Sequence, residues 1–205
     1  ETQSRELNVH ITELALQALG ARAFHVVMPT PPQSAPVPVR STGASNSLQA
    51  LDPAIMALAA SELVVDLTLE GLLHAPELPA ILKGGARVLM ISNEHPEALE
   101  RLTPDEGLKD DVRAALTCCR EANTMTVTSE AGSDLRIDLS NSPVAGVWGW
   151  TDRPGTVAHW PGGVVVAFPK RHTVNGRLVM SPGDINLNFK RYLESTVTLT
   201  IEDDF

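Results

Sequence analysis

His159 and Trp160 lead directly into Pro161-Gly162-Gly163, and the apolar run Val164 to Phe168 follows and stops at Pro169. An imidazole beside a glycine turn can act as acid, base or hydrogen-bond donor near neutral pH, and glycines let a ligand approach the backbone closely. Such a histidine can also be a purely structural group bonded to backbone, and residue type alone leaves both readings open. His74 closes Leu72-Leu73-His74 just after an expected strand. That is the sheet edge where α/β folds bind ligands, although a helix-entry role fits it too. His95, in Glu94-His95-Pro96-Glu97, reads as a surface residue at a helix start. Trp148-Gly149-Trp150 either lines an aromatic pocket or fills core. Asp134, Asp138, Asp152 and Asp184 are the candidate carboxylates. Asp134 and Asp184 follow turn residues, where bonds to backbone are expected.

Several strong patterns are missing. The sequence has no His-Glu-x-x-His, Cys-x-x-Cys, Gly-x-Gly-x-x-Gly, P-loop or Gly-x-Ser-x-Gly. Its six histidines are scattered, with no pair at ligand spacing. Local sequence therefore names no metal site and no triad.

The elements that must position these residues fall into two groups. Residues 5–19 carry Leu7, Ile11, Leu14, Ala15, Ala18 and Leu19 at helical spacing, and Gly20 is a natural stop. Arg22 to Met28 reads as a buried strand, and the Pro-, Ser- and Gly-rich stretch Pro29 to Ser47 as a long loop. Next come a helix over 53–60 with Asp52 as cap, a strand from Glu62 to Leu67, and a helix from Pro76 to Lys83 closed by Gly84-Gly85. A strand from Arg87 to Ile91 follows. Thr103-Pro104-Asp105-Glu106 has the form of a capping box, opening a helix with Leu108, Val112, Ala115, Leu116 and Cys119 on one face. Strands alternating with helices predict an α/β layer with a mostly parallel sheet, placed at residues 5–122. After Asn123 the pattern changes to short alternating runs. Met125–Thr128 and Leu135–Leu139 are joined by the hairpin signal Ala131-Gly132-Ser133, and later runs lie at 164–168, 177–180, 184–189 and 196–201. Residues 123–205 are therefore expected to form a β-rich domain.

Composition narrows the setting. The 205 residues are 43% hydrophobic, enough for a real core, and carry a formal net charge of −9 with a pI near 5.1. So acidic a surface argues against nucleic acid and anionic membranes as partners. No apolar run reaches the roughly 18 residues needed to span a bilayer. Cys118 and Cys119 are vicinal, a spacing unsuited to ordinary disulfide geometry, and no Asn-X-Ser/Thr acceptor occurs. Both features suggest a reducing, cytoplasmic setting. The first residue is Glu1 rather than Met, which suggests a processed chain or a fragment.

One ordered series of motifs goes further. Glu130-Ala131-Gly132-Ser133-Asp134-Leu135, Trp148-Gly149, Asp152-Arg153-Pro154-Gly155, His159-Trp160-Pro161, the run to Pro169 and Asn175-Gly176-Arg177-Leu178-Val179 occur in sequence. The series resembles the first part of the family that holds the aminopeptidase T type metallopeptidases and the 2,5-dihydroxypyridine 5,6-dioxygenases, over about residues 60–205 and most closely over 124–189. The peptidase branch carries paired glutamates in the turn where this chain has Gly163 and Val164, and neither of these can ligate. The His-Trp-Pro-x-Gly form is similar to the dioxygenase branch.

That resemblance implies a non-haem Fe(II) enzyme that opens a hydroxylated pyridine ring, with dioxygen and a small aromatic molecule as its partners. It implies that two histidines and a carboxylate hold the iron in a later segment, past Phe205, so this chain lines the pocket and holds no metal itself. His159 and His74 correspond to pocket histidines that bind or deprotonate a ring hydroxyl, with Leu73, Trp148 and Trp160 as the adjoining wall. A pocket glutamate is expected in the dioxygenases where this chain has Val147. A homo-oligomer is compatible with all of this. The competing expectations are a metallopeptidase-like hydrolase or deaminase of the same fold, and a binding domain without chemistry.

Overall fold

A computed structural model of the protein describes residues 3–28, 47–68, 71–91, 95–186 and 191–205. The expected loop from Pro29 to Ser47 lies outside the described residues except for Ser47. The fold is mixed α/β, with one parallel sheet and separate antiparallel sheets. The chain divides into two compact units, residues 1–108 with 147–163 and residues 109–146 with 164–205.

The first unit contains helices α1 (Gln3–Ala18), α2 (Asp52–Ala59), α3 (Leu78–Lys83) and α4 (Pro96–Arg101), with strands β1 (Leu63–Asp66) and β2 (Arg87–Ile91). A third strand, here called β6 (Val157–Trp160), arrives much later in the chain. The three form a wholly parallel sheet in the order β1-β2-β6. Val64 pairs with Val88 and Val88 with Val157, so these β-branched side chains share one face. That face packs on Leu58 of α2 and on Leu78 and Ile81 of α3, together with Leu48, Leu72 and Ala75. Burying one such side chain fully contributes about 1.5–3 kcal/mol. Gly84 ends α3, and Gly85 follows at φ +97°, a left-handed turn that glycine adopts without a Cβ penalty.

Four local expectations change. Residues 21–28 are not a strand. Val26 and Met28 pack against the core from a stretch without regular secondary structure, while Phe24 and Val27 stay exposed. An apolar run becomes a strand only where a neighbour offers a ladder, and none of the described strands pairs with this one. Helix α1 forms as expected, but its buried side is polar. Arg5 and Asn8 are covered, whereas Leu7, Ile11 and Leu14 are about half exposed, at 48%, 47% and 51%. The N-cap of α2 is Leu51, and Asp52 sits in the first turn, where its charge favours the helix dipole. The capping box does not form either. The Thr103 hydroxyl donates backwards to the Glu100 carbonyl at the end of α4, and the Asp105 carboxylate accepts from the Leu108 amide. Helix α5 (Leu108–Glu121) therefore starts at Leu108.

The second unit holds α5 with strands β3 (Thr124–Thr128), β4 (Asp134–Asp138), β5 (Val144–Val147), β7 (Val164–Ala167), β8 (Val174–Met180), β9 (Ile185–Asn186), β10 (Arg191–Tyr192) and β11 (Val197–Ile201). The main sheet is antiparallel in the order β11-β8-β4-β3, and β5 pairs with β7. The expected hairpin is present, with Gly132 at φ +103° in its turn. Val112 and Leu116 of α5 press on Gly146. A Cβ there would meet their side chains at 2.8 and 2.9 Å, so only glycine lets helix and strand approach this closely.

Candidate functional site

The register of the parallel sheet sets the geometry. Two residues beyond the valine row, Asp66 pairs with Met90 and Met90 with His159. These three side chains share the core face, at the carboxyl ends of their strands. Two strand spacings of about 4.8 Å put the Asp66 and His159 backbones roughly 10 Å apart. The carboxyl edge of an open parallel sheet is where such folds bind ligands.

Asp66 is 3% exposed and organises the chain that leaves β1. Its Oδ1 accepts from the Thr68 amide at 3.0 Å and from the Thr68 hydroxyl at 2.7 Å, and its Oδ2 accepts from the Leu72 amide at 2.5 Å. Thr68 Oγ1 in turn accepts from the Gly71 amide at 3.1 Å. Arg5 of α1 reaches the same segment and donates to the carbonyls of Leu67 and Thr68 at 2.9 and 3.0 Å. Burial pushes the Asp66 carboxyl above its ordinary range, while the bonds from Thr68 and Leu72 and the charge of Arg5 oppose that rise. Gly71, at φ +72°, lies against Met90, where a Cβ would meet Sδ at 2.6 Å. Gly71 therefore lies over the strand between Asp66 and His159. Leu73, half-buried, and His74, exposed, come directly after it.

His159 is half-buried, and its Nδ1 lies 2.7 Å from the Pro161 carbonyl oxygen. A carbonyl only accepts, so Nδ1 carries the proton. In the neutral ring Nε2 then holds a lone pair. Trp160 alternates to the opposite face, and its indole N–H donates to the Leu102 carbonyl at 2.9 Å. The turn that follows begins with a cis Trp160-Pro161 bond and lies flat on another segment. The Gly163 amide donates to the Val147 carbonyl at 2.8 Å, and a Cβ on Gly162 would strike the backbone of Trp148 and Gly149. Trp148 is half-buried and edge-on to Trp150, with ring centroids 6.4 Å apart at 68°.

Leu73, His74, Trp148, His159 and Trp160 thus all belong to the first unit. The structure joins the Trp148 segment to the His159 turn and puts Leu73 and His74 at the end of β1. Sequence reading passed over Asp66. Its signal was present, since Asp-x-Thr at a strand end is a pattern that folds side-chain oxygens onto nearby amides. In the second unit an open cleft of about 260 Å³ is lined by Arg136, Asp138, His172, Thr173 and Asn175, and it contains none of the five.

The comparisons decide the family. The family described as NicX, 2,5-dihydroxypyridine 5,6-dioxygenase, matches residues 1–205. This chain belongs to that family. A 2,5-dihydroxypyridine 5,6-dioxygenase of Pseudomonas putida KT2440 is 42% identical over 149 residues, which are 73% of this chain and 42% of the relative. A solved structure of 2,5-dihydroxypyridine dioxygenase from the same organism superposes with a TM-score of 0.82 at 36% identity, covering 95% of this chain and 56% of that one. The chain thus spans about half the length of the dioxygenases it matches.

Proposed function

We propose that the whole protein is a non-haem Fe(II) dioxygenase that opens the ring of 2,5-dihydroxypyridine or a closely similar hydroxylated N-heteroaromatic, working in the cytoplasm. Family membership over the full 205 residues carries this reading, because both named relatives are 2,5-dihydroxypyridine dioxygenases. Iron in such an enzyme supplies the activation of dioxygen. The residues described here do not fit an iron site. Among them no group of three or more His, Cys, Asp or Glu side chains comes together around a common point. The Asp66 oxygens are engaged by N–H and O–H donors. To this chain we assign the binding and orientation of the substrate and the handling of its proton.

His159 is the residue we assign to that proton. With Nδ1–H bonded to the Pro161 carbonyl, Nε2 is the atom able to take a proton from a ring hydroxyl. The imidazolium that results keeps its Nδ1–H bond to that carbonyl. The bond fixes the ring without any change of tautomer. His74 contacts a second polar group of the substrate, and Leu73 and Trp148 supply the apolar wall for a flat ring, whereas Trp160, on the opposite face of the sheet, anchors its strand to the Leu102 carbonyl.

The test is loss of 2,5-dihydroxypyridine, followed by its ultraviolet absorbance, with full-length protein, ferrous ion and oxygen. Turnover that depends on both additions is expected. A protein that leaves the absorbance unchanged under these conditions is not this enzyme.

A further inference from the structure

We propose that Asp66 is a positioning residue for the substrate pocket, its buried carboxylate fixing the turn that presents Leu73 and His74 at the carboxyl edge of the parallel sheet. The proposal rests on the pocket reading above for its link to substrate, but its structural half stands alone. Asp66 ends a strand of apolar residues and occupies a place on the core face where Val64 and Val88 would predict another hydrophobe. A carboxylate so buried is costly unless its oxygens are satisfied. Here they are, and every donor comes from the turn it holds: the Thr68 amide and hydroxyl on one oxygen and the Leu72 amide on the other. Thr68 passes the constraint on to the Gly71 amide. Gly71 is pressed on Met90, which is paired in register with both Asp66 and His159. Three amides of the turn are thus tied to one carboxylate, directly or through one hydroxyl, just before Leu73 and His74. Arg5 binds the same segment through the Leu67 and Thr68 carbonyls.

The chemistry requires an acid rather than an amide. A carboxylate offers two accepting oxygens, whereas an asparagine turns one of them into a donor facing Thr68 or Leu72. Asp66→Asn is otherwise nearly isosteric, so it loosens the turn without opening a cavity.

Two measurements on the full-length protein test this: hydrogen–deuterium exchange, and anaerobic equilibrium binding of 2,5-dihydroxypyridine. In Asp66→Asn the amides of residues 71–74 should exchange at least about tenfold faster, with those of 88–91 unchanged. Affinity should fall about tenfold, the scale of one hydrogen bond to a charged group. His74→Ala should weaken binding as well. The double variant should be no weaker than the weaker single one, because Asp66 acts through the turn that bears His74. If Asp66→Asn does not fold, Thr68→Val breaks the same chain of bonds and takes its place. Unchanged exchange at 71–74, acceleration that extends equally into β2, or additive losses in the double variant would each overturn the proposal. Wild-type protein that fails to bind 2,5-dihydroxypyridine removes the substrate reading alone, and the exchange data still decide whether Asp66 holds the turn.

Discussion

At the scale of single residues, the proposed proton acceptor is His159 Nε2. The Pro161 carbonyl holds the other ring nitrogen as a donor, so the imidazole meets a ligand as an acceptor. His159→Ala in the whole protein is expected to lower turnover by about 10² or more while leaving the fold intact, since the ring is only half-buried. His159→Gln provides the sharper comparison. Glutamine can hydrogen-bond a hydroxyl but cannot accept its proton at neutral pH. It should therefore recover substrate binding, seen as KM, without recovering kcat. A variant of either kind with wild-type kcat would leave His159 a structural group. Trp160 gives no clean readout, because its indole anchors its strand to the Leu102 carbonyl and its loss would lower stability.

At the scale of elements, the turn at 161–163 and the segment at 147–149 form one unit held by glycine. Gly162 has no room for a Cβ, because Trp148 and Gly149 present rigid backbone there. Gly163 has room, with Leu108 at an ordinary 3.5 Å, but its φ is +83°. Gly162→Ala should therefore cost about 1–3 kcal/mol by overpacking and displace the His159 turn, so that melting temperature and turnover fall together. Gly163→Ala should cost about 1–2 kcal/mol from its backbone angle alone and retain more activity per folded molecule. Thermal melts and initial rates on the pair check this. Glycine spacing and strand alternation made this segment legible in the sequence, as they did β2, the β3–β4 hairpin and most helix positions. What sequence could not give was partnership. Residues 22–28 have the composition of a strand but no ladder. Thr103 has the form of a cap, but its hydroxyl serves the preceding helix. The row Asp66-Met90-His159 depends on β6 joining β2, a pairing between residues far apart in the chain that no local pattern encodes.

At the scale of the whole molecule, the −9 net charge makes the carboxylates the main source of pH dependence, and they do not all act with the same sign. Asp204 accepts from the amides of His172, Thr173 and Val174 at 2.6, 3.0 and 2.9 Å. Those bonds, the Val174 amide foremost, hold its carboxyl below the usual range. Asp138 is lowered in the same way, chiefly by hydrogen bonding to Ser140. For both, the folded state prefers the ionised form. Their stabilisation is present above the ordinary aspartate value of about 3.9 and is lost as pH falls through their lowered values. Asp66 is raised by burial, so its term has the opposite sign, complete below the ordinary value and lost as pH rises through the raised one. Asp204→Asn should therefore melt below wild type near neutral pH, with the gap closing as pH falls below the ordinary aspartate value and through the lowered one. For Asp66→Asn the stability of wild type relative to the variant should decline as pH rises above roughly 4. Melting curves of the three proteins across that range, in one buffer series at fixed ionic strength, test both signs together. A gap for Asp204→Asn that is the same at every pH would mean that its carboxylate does not hold the 172–174 amides in solution.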